Sequence, residues 1–106
     1  HNNLVALPEE VGALKNLRYL MAANNKLVAL PTSLCECLML EYVDVAYNCM
    51  GALPPSLSQL SQLEYLSAAH NALAELPPSI GNGLPNLGRL DVTANSLTFL
   101  PVSLGK

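Results

Sequence analysis

The feature that most constrains this chain is a 23-residue repeat marked by asparagine and proline. The asparagines follow one another at intervals of 23, 23, 23 and 24 residues, at Asn2, Asn25, Asn48, Asn71 and Asn95. The prolines keep the same period, at Pro8, Pro31, Pro54, Pro77 and Pro101. A fixed period of this length indicates stacked copies of one small unit rather than a domain with a single central core.

Leucines recur at fixed positions relative to these asparagines and prolines. The pattern of the stretch LRYLMAANNKLVALP at 17–31 recurs at 40–54, 63–77 and 87–101. Its apolar spacing fits neither the period of a helix nor that of a strand for long. The pattern L-x-x-L-x-L-x-x-N-x-L-x-x-L-P-x-x-L-x-x-L resembles the leucine-rich repeat. The 23-residue length with Leu-Pro after the asparagine resembles its intracellular, Ras-suppressor and Ras-group-related class.

This resemblance implies an α/β leucine-rich-repeat solenoid, a right-handed horseshoe arc with a parallel concave sheet. Each L-x-L segment supplies one short strand. Because the return segments are short and rich in proline, we expect extended stretches and 3-10 or one-turn helices on the convex side. The helices are expected near Ser33–Glu36, Ser56–Gln59 and Ser79–Asn82.

One array is expected to span 1–106. Its divisions are a partial repeat 1–16, repeats 17–39, 40–62 and 63–86, and a partial repeat 87–106. Solenoids need polar caps over their terminal apolar faces, and no capping sequence is visible here. We therefore expect the chain to be a fragment of a longer array.

Two sets of residues are expected to build the interior. Leucines point inward, among them Leu17, Leu20, Leu27, Leu30 and Leu34. The asparagine carboxamides can satisfy backbone groups of the turn that follows each strand, which would otherwise be buried unpaired. We expect them to stack as a structural asparagine ladder formed by Asn25, Asn48, Asn71 and Asn95.

The other strand positions are expected to project from the concave face. All four tyrosines of the chain stand there, and three share one column on adjacent strands. Tyrosine and arginine often anchor protein interfaces. The predicted partner-binding residues are Arg18, Tyr19, Met21, Asn24, Glu41, Tyr42, Asp44, Tyr47, Glu64, Tyr65, Ser67, His70, Arg89 and Asp91. The alternative is a cross-strand aromatic ladder that stabilises the sheet and binds nothing.

Composition and charge restrict the class of partner. The net charge is −3 and the five Lys and Arg residues are scattered, so no basic stripe for nucleic acid or anionic lipid exists. No apolar run approaches 18 residues, and membrane insertion is not expected. The concave columns carry more acidic than basic residues, which favours a partner protein or peptide with some basic residues.

The cysteines bear on the cellular setting, and the absence of known motifs bears on catalysis and ligand binding. Three cysteines, of which Cys35 and Cys37 are too close to bridge easily, and the lack of an N-x-[ST] sequon favour a cytoplasmic setting. By repeat position Cys37 should be buried, and Cys35 and Cys49 more exposed. No nucleotide-binding, hydrolase or metal motif is present, so we expect no cofactor, no metal and no catalysis.

The sequence therefore predicts a non-enzymatic protein-interaction scaffold, for example in signal transduction. Two alternatives stay open, and a further one, an extracellular receptor domain, would require a signal peptide and cysteine caps outside this segment. The chain could be the repeat segment that targets or regulates a kinase, phosphatase, cyclase or ubiquitin ligase. It could also be a structural subunit of a large assembly.

Overall fold

The computed structural model describes residues 4–74, 76 and 86–95. In order along the chain, its elements are the 3-10 helix η1 (Glu9–Ala13), strand β1 (Tyr19–Met21), η2 (Thr32–Glu36), β2 (Tyr42–Asp44), η3 (Pro55–Gln59), β3 (Tyr65–Ser67) and β4 (Arg89–Asp91). The four strands form one parallel sheet in the order β1-β2-β3-β4. This is the predicted solenoid, in which each coil adds one strand beside the last.

Each 3-10 helix begins directly after the proline of its repeat. Pro8, Pro31 and Pro54 have extended backbone angles, with φ between −68° and −65°. Proline has this φ built in and donates no backbone hydrogen bond, so it suits the residue that precedes the turn. Each helix closes when its C-cap N–H donates to the carbonyl three residues earlier, as Cys37 N–H does to Leu34.

The predicted convex helices are confirmed where the structure describes them. η2 and η3 begin one residue before the predicted starts of Ser33–Glu36 and Ser56–Gln59 and end where predicted. The helix expected at Ser79–Asn82 lies outside the described residues. η1 was not predicted, although Pro8 and Val11 repeat the Leu-Pro-x-x-Leu signal with valine in place of leucine.

Neighbouring 3-10 helices pack against one another, η1 on η2 and η2 on η3. The first contact is close enough to require glycine. A Cβ added at Gly12 would come within 2.7 Å of the Ser33 carbonyl oxygen and 2.8 Å of its Cβ. The contact fixes the spacing of the first two coils behind the sheet.

The core lies between the sheet and these helices. Its fully buried side chains come from several coils and are mostly leucine, with Leu27, Leu34, Leu40, Val43, Val45, Met50, Leu57, Leu60, Leu63, Leu66 and Leu73. Of the residues expected to point inward, Leu17 and Leu20 are only partly buried. They belong to the coil of β1, and in the described sheet β1 has a neighbouring strand on one side alone.

Cys35 is buried, with 1% of its surface exposed, which corrects the expectation that it would be accessible. It lies on η2, against which η3 packs. Cys37 is fully buried as expected, and its Sγ–H donates to the Val11 carbonyl at 3.2 Å. Cys49 is exposed, and all three cysteines are free thiols.

Candidate functional site

The asparagine side chains hold the turn that ends each strand. Asn48 Nδ2 donates to the carbonyls of Val45 and Ala46 in its own coil, at 2.9 and 3.1 Å, and to Ala22 of the preceding coil at 3.1 Å. Its Oδ1 accepts the Leu27 N–H at 3.0 Å. One buried side chain thus satisfies four backbone groups and joins two coils.

The same bonds recur along the asparagine ladder. Asn71 and Asn95 each donate to two carbonyls of their own coil and one of the preceding coil, and each accepts a backbone N–H from the preceding coil. Asn25 donates to Ala22 and Ala23 and accepts from Leu4 N–H at a longer 3.3 Å. The ladder sets a fixed geometry for the residues that precede each asparagine.

Those preceding residues adopt a left-handed backbone conformation that is unusual for their side chains. Asn24, Tyr47, His70 and Ala94 have φ of 62°, 57°, 55° and 56°. Such a conformation costs a non-glycine residue about 1–3 kcal/mol. Backbone hydrogen bonds to the next coil stabilise this conformation. The N–H groups of Asn24, Tyr47 and His70 donate to the carbonyls of Ala46, Ala69 and Thr93.

The register of the parallel sheet brings the tyrosines into one row. Tyr19 pairs with Tyr42, Tyr42 with Tyr65, and Tyr65 with Arg89. The rings of Tyr42 and Tyr65 stack, with centroids 4.3 Å apart and 19° between their planes. Tyr19 is tilted at 54° with its centroid 6.3 Å from that of Tyr42, and 60% of its surface is exposed. We call Tyr19, Tyr42, Tyr65 and Arg89 the tyrosine row.

A second aromatic contact, which the sequence did not predict, lies past the ends of the strands. Tyr47 and His70 stack with centroids 4.2 Å apart and planes within 7° of parallel. Both rings come from the left-handed positions before the asparagines. Tyr47 and His70 each directly precede the asparagine of their repeat, Asn48 and Asn71, and this shared position was visible in the sequence. It does not predict the backbone angle on which the orientation of the rings depends.

The row beside the tyrosines is Met21, Asp44, Ser67 and Asp91, paired in that order. Met21 is 65% exposed. Ser67 differs from the expectation of an accessible residue, since only 4% of its surface is exposed. Its side chain is short and lies on a strand between neighbours that carry the longer Asp44 and Asp91.

The two aspartates of this row accept hydrogen bonds from the turn that follows. Asp44 Oδ1 accepts the Ala46 N–H at 3.1 Å. Asp91 Oδ1 accepts the N–H and the hydroxyl of Thr93, at 3.1 and 2.8 Å. These bonds, the backbone one first, hold the pKa of Asp91 below its ordinary value, so its carboxylate is charged at neutral pH. Burial, Tyr65 and Asp44 raise the pKa of Tyr42, whose hydroxyl therefore stays protonated.

The remaining predicted residues are spread around these rows. Arg18 and Glu41 form an ion pair, Nε to Oε2, at 3.3 Å. Glu64 and Asn24 are exposed. The sheet therefore presents an aromatic row with carboxylates beside it, which suits contact with another molecule's surface. Within the described residues, no three His, Cys, Asp or Glu side chains cluster as metal ligands.

Thiol reactivity tests the burial of the cysteines. Burial raises the pKa of the Cys35 and Cys37 thiols, so the reactive thiolate is scarce at neutral pH and increases as pH rises through the raised pKa. We expect iodoacetamide at pH 7.5 to modify exposed Cys49 about tenfold or more faster than either of them. Peptide mass spectrometry over time, at pH 7.5 and 9, measures the three rates. Equal rates for Cys35 and Cys49 in the folded chain would contradict the η2–η3 packing.

No helix among the described residues is long and apolar enough to cross a membrane. Comparison with protein-family models gave no match, and comparison with curated proteins gave none either.

Solved structures do match. A leucine-rich repeat protein of Leptospira interrogans superposes with a TM-score of 0.94 at 39% sequence identity, over 97% of this chain and 26% of that one. This chain thus spans far less than the length of that relative. The leucine-rich repeat ectodomain of the receptor kinase SOBIR1 from Arabidopsis thaliana shares the fold, with a TM-score of 0.65 and 24% identity over 95% of this chain and 70% of that one. With the repeat, the parallel sheet and the asparagine bonds, this likeness shows that the chain is a leucine-rich repeat protein.

Proposed function

We propose that this chain is a protein-interaction module that binds a partner protein on the concave face of its sheet, without catalysis of its own. The concave face here is the sheet surface opposite the 3-10 helices. The observation that carries the proposal is the tyrosine row, which sets large, partly exposed rings on adjacent strands of a rigid sheet. Tyrosine offers a partner large contact area and a polar tip at low entropy cost.

The rigidity of the sheet supports this use. Each strand is tied to the next by backbone bonds and by the asparagine ladder, so the tyrosines are held in place before any partner arrives. A preorganised surface loses less entropy on binding than a mobile one. The proposed setting is cytoplasmic, in a scaffold of the kind used in signal transduction, and the three free thiols support it.

Replacing Tyr42 and Tyr65 together by alanine is expected to weaken partner binding about 30- to 100-fold, the range for loss of an interface hot spot. Partners retained on the immobilised wild-type chain are identified by mass spectrometry, and the strongest is purified and titrated directly against both chains. The folded state should survive, because a cross-strand pair contributes only about 0.2–1 kcal/mol. Circular dichroism and thermal melting check this.

A matched control removes exposed apolar side chains from a loop outside the tyrosine row. Leu38 and Met39, 53% and 42% exposed, lie in the loop that leads to β2. The variant Leu38→Ala/Met39→Ala should bind the purified partner as the wild type does. If the tyrosine variant also retains full affinity while it is folded, the tyrosine row only stabilises the sheet, and the proposal is wrong.

A further inference from the structure

The tyrosine row already holds a guanidinium group. Its fourth position, on β4, is Arg89 rather than tyrosine, and the Arg89 Cζ lies 5.9 Å from the centroid of the Tyr65 ring. An arginine within about 6 Å of an aromatic face is attracted to it by the charge distribution of the ring. The chain thus contains, within itself, one example of the contact that an arginine of a partner could make with this row.

Carboxylates without an ion-pair partner adjoin the same rings. Among the described residues, Arg18 forms an ion pair with Glu41, whereas neither Asp44 nor Glu64 forms an ion pair. Glu64 directly precedes Tyr65 and is exposed, and Asp44 follows Tyr42 by two residues and is half-buried. Apart from the Arg18–Glu41 pair, the described concave face therefore carries three carboxylates, Asp44, Glu64 and Asp91, against the single cation Arg89.

We infer, on the basis of the proposed function, that the concave face recognises arginine side chains in an extended segment of its partner. The arginine guanidinium lies against the exposed ring of Tyr19 and the face of Tyr42 that Tyr65 does not cover, and its N–H groups donate to the carboxylates of Asp44 or Glu64. A guanidinium is planar, stays charged, stacks on aromatic rings and matches a carboxylate with two parallel hydrogen bonds. Lysine offers a point charge and meets only part of these requirements.

The first test is a selection from a phage-displayed library of random dodecapeptides. The library is panned on the immobilised chain, after depletion on the Tyr42→Ala/Tyr65→Ala variant. Enriched peptides that need the tyrosines and carry arginine above its frequency in the library support the inference. Enriched peptides that need the tyrosines but lack arginine overturn it and leave the proposed function standing. If no peptide depends on the tyrosines, the inference fails and the proposed function loses its support as well.

The second test measures charge and shape on one enriched peptide by fluorescence anisotropy. Replacing its arginines by citrulline, which is neutral and nearly the same shape, should weaken binding about tenfold or more, and replacing them by lysine about threefold. On the protein side, Asp44→Asn/Glu64→Gln should weaken binding about tenfold. This variant should fold normally, since asparagine can still accept the Ala46 N–H.

Glu36→Gln is the matched control for charge. Glu36 is an exposed glutamate whose Oε1 lies 3.5 Å from the Lys15 Nζ, and it belongs to η2 on the opposite side of the sheet. Its replacement removes one negative charge from the chain and should leave peptide affinity within about twofold. If the citrulline peptide binds as tightly as the arginine peptide, or if Asp44→Asn/Glu64→Gln changes affinity no more than Glu36→Gln, the inference is wrong.

Discussion

Replacing Asn48 by alanine is expected to lower the free energy of unfolding by about 3–4 kcal/mol, since one buried N–H left unpaired costs about 1–3 kcal/mol and each further hydrogen bond lost costs about 0.5–1.5 kcal/mol. The Asn48 carboxamide binds one backbone N–H and three carbonyls, and the residue is 8% exposed. Alanine leaves the Leu27 N–H without its partner, where little water can replace it. The carbonyls of Ala22, Val45 and Ala46 lose one hydrogen bond each but keep another donor.

Urea denaturation measures this loss, with Asn25→Ala as the matched control. Asn25 is half-buried, and it makes two carbonyl contacts in its own coil and one longer bond to Leu4. Its replacement should cost about 1 kcal/mol, because water can reach the groups it leaves. A similar loss of unfolding free energy at both positions would mean that the bonds between coils add nothing to the stability that the asparagine ladder provides.

Asn48→Asp separates the donor role of this residue from its acceptor role. The aspartate can still accept the Leu27 N–H, but at neutral pH its second oxygen faces the carbonyls of Ala22, Val45 and Ala46 and repels them. The loss should therefore be at least as large as that of Asn48→Ala at pH 7. Protonation restores one donor, so the variant should regain stability relative to wild type as pH falls.

Much of the fold follows from the period. Because Tyr19, Tyr42 and Tyr65 occupy the same place in successive repeats, stacked strands put them side by side, which is the register of the sheet. The Leu-Pro-x-x-Leu signal likewise predicted η2 and η3 to within one residue. A repeated pattern carries this information because each coil contacts only its neighbours and repeats their geometry.

What the sequence could not supply depends on contacts between particular side chains. Cys35 is buried because η3 packs over it, and Ser67 is covered because its neighbours on the adjoining strands are longer. The repeat predicts where Cys35 and Ser67 lie, but not how large the neighbouring side chains are. The stacking of Tyr47 on His70 needs a left-handed backbone in both residues, which is unusual for bulky side chains.

The candidate site shows the same division. The sequence placed the tyrosines and their neighbouring charges in columns, but it could not show which charges are paired. Arg18 bonds to Glu41, while Arg89 turns toward Tyr65. Side-chain torsions decide this, and they are set by packing across coils rather than by the repeat.

Replacing Leu63 by alanine is expected to cost about 3–4 kcal/mol of unfolding free energy, within the range measured for buried leucines. Leu63 is fully buried and leads into β3, which has strands on both sides. The space left by the missing atoms is bounded by two neighbouring coils and cannot collapse without moving both. Thermal and urea unfolding give the change in stability.

Leu17 occupies the equivalent position in the coil of β1 and provides the control. It is only partly buried, and in the described sheet its coil has a neighbouring strand on one side. Leu17→Ala should therefore cost about 1–2 kcal/mol, since less apolar surface leaves water there on folding. If stability is a sum of contacts between adjacent coils, position in the array sets the cost of an identical change. Equal costs at Leu17 and Leu63 would show instead that the coils unfold as one unit whose stability does not depend on how many neighbours each has.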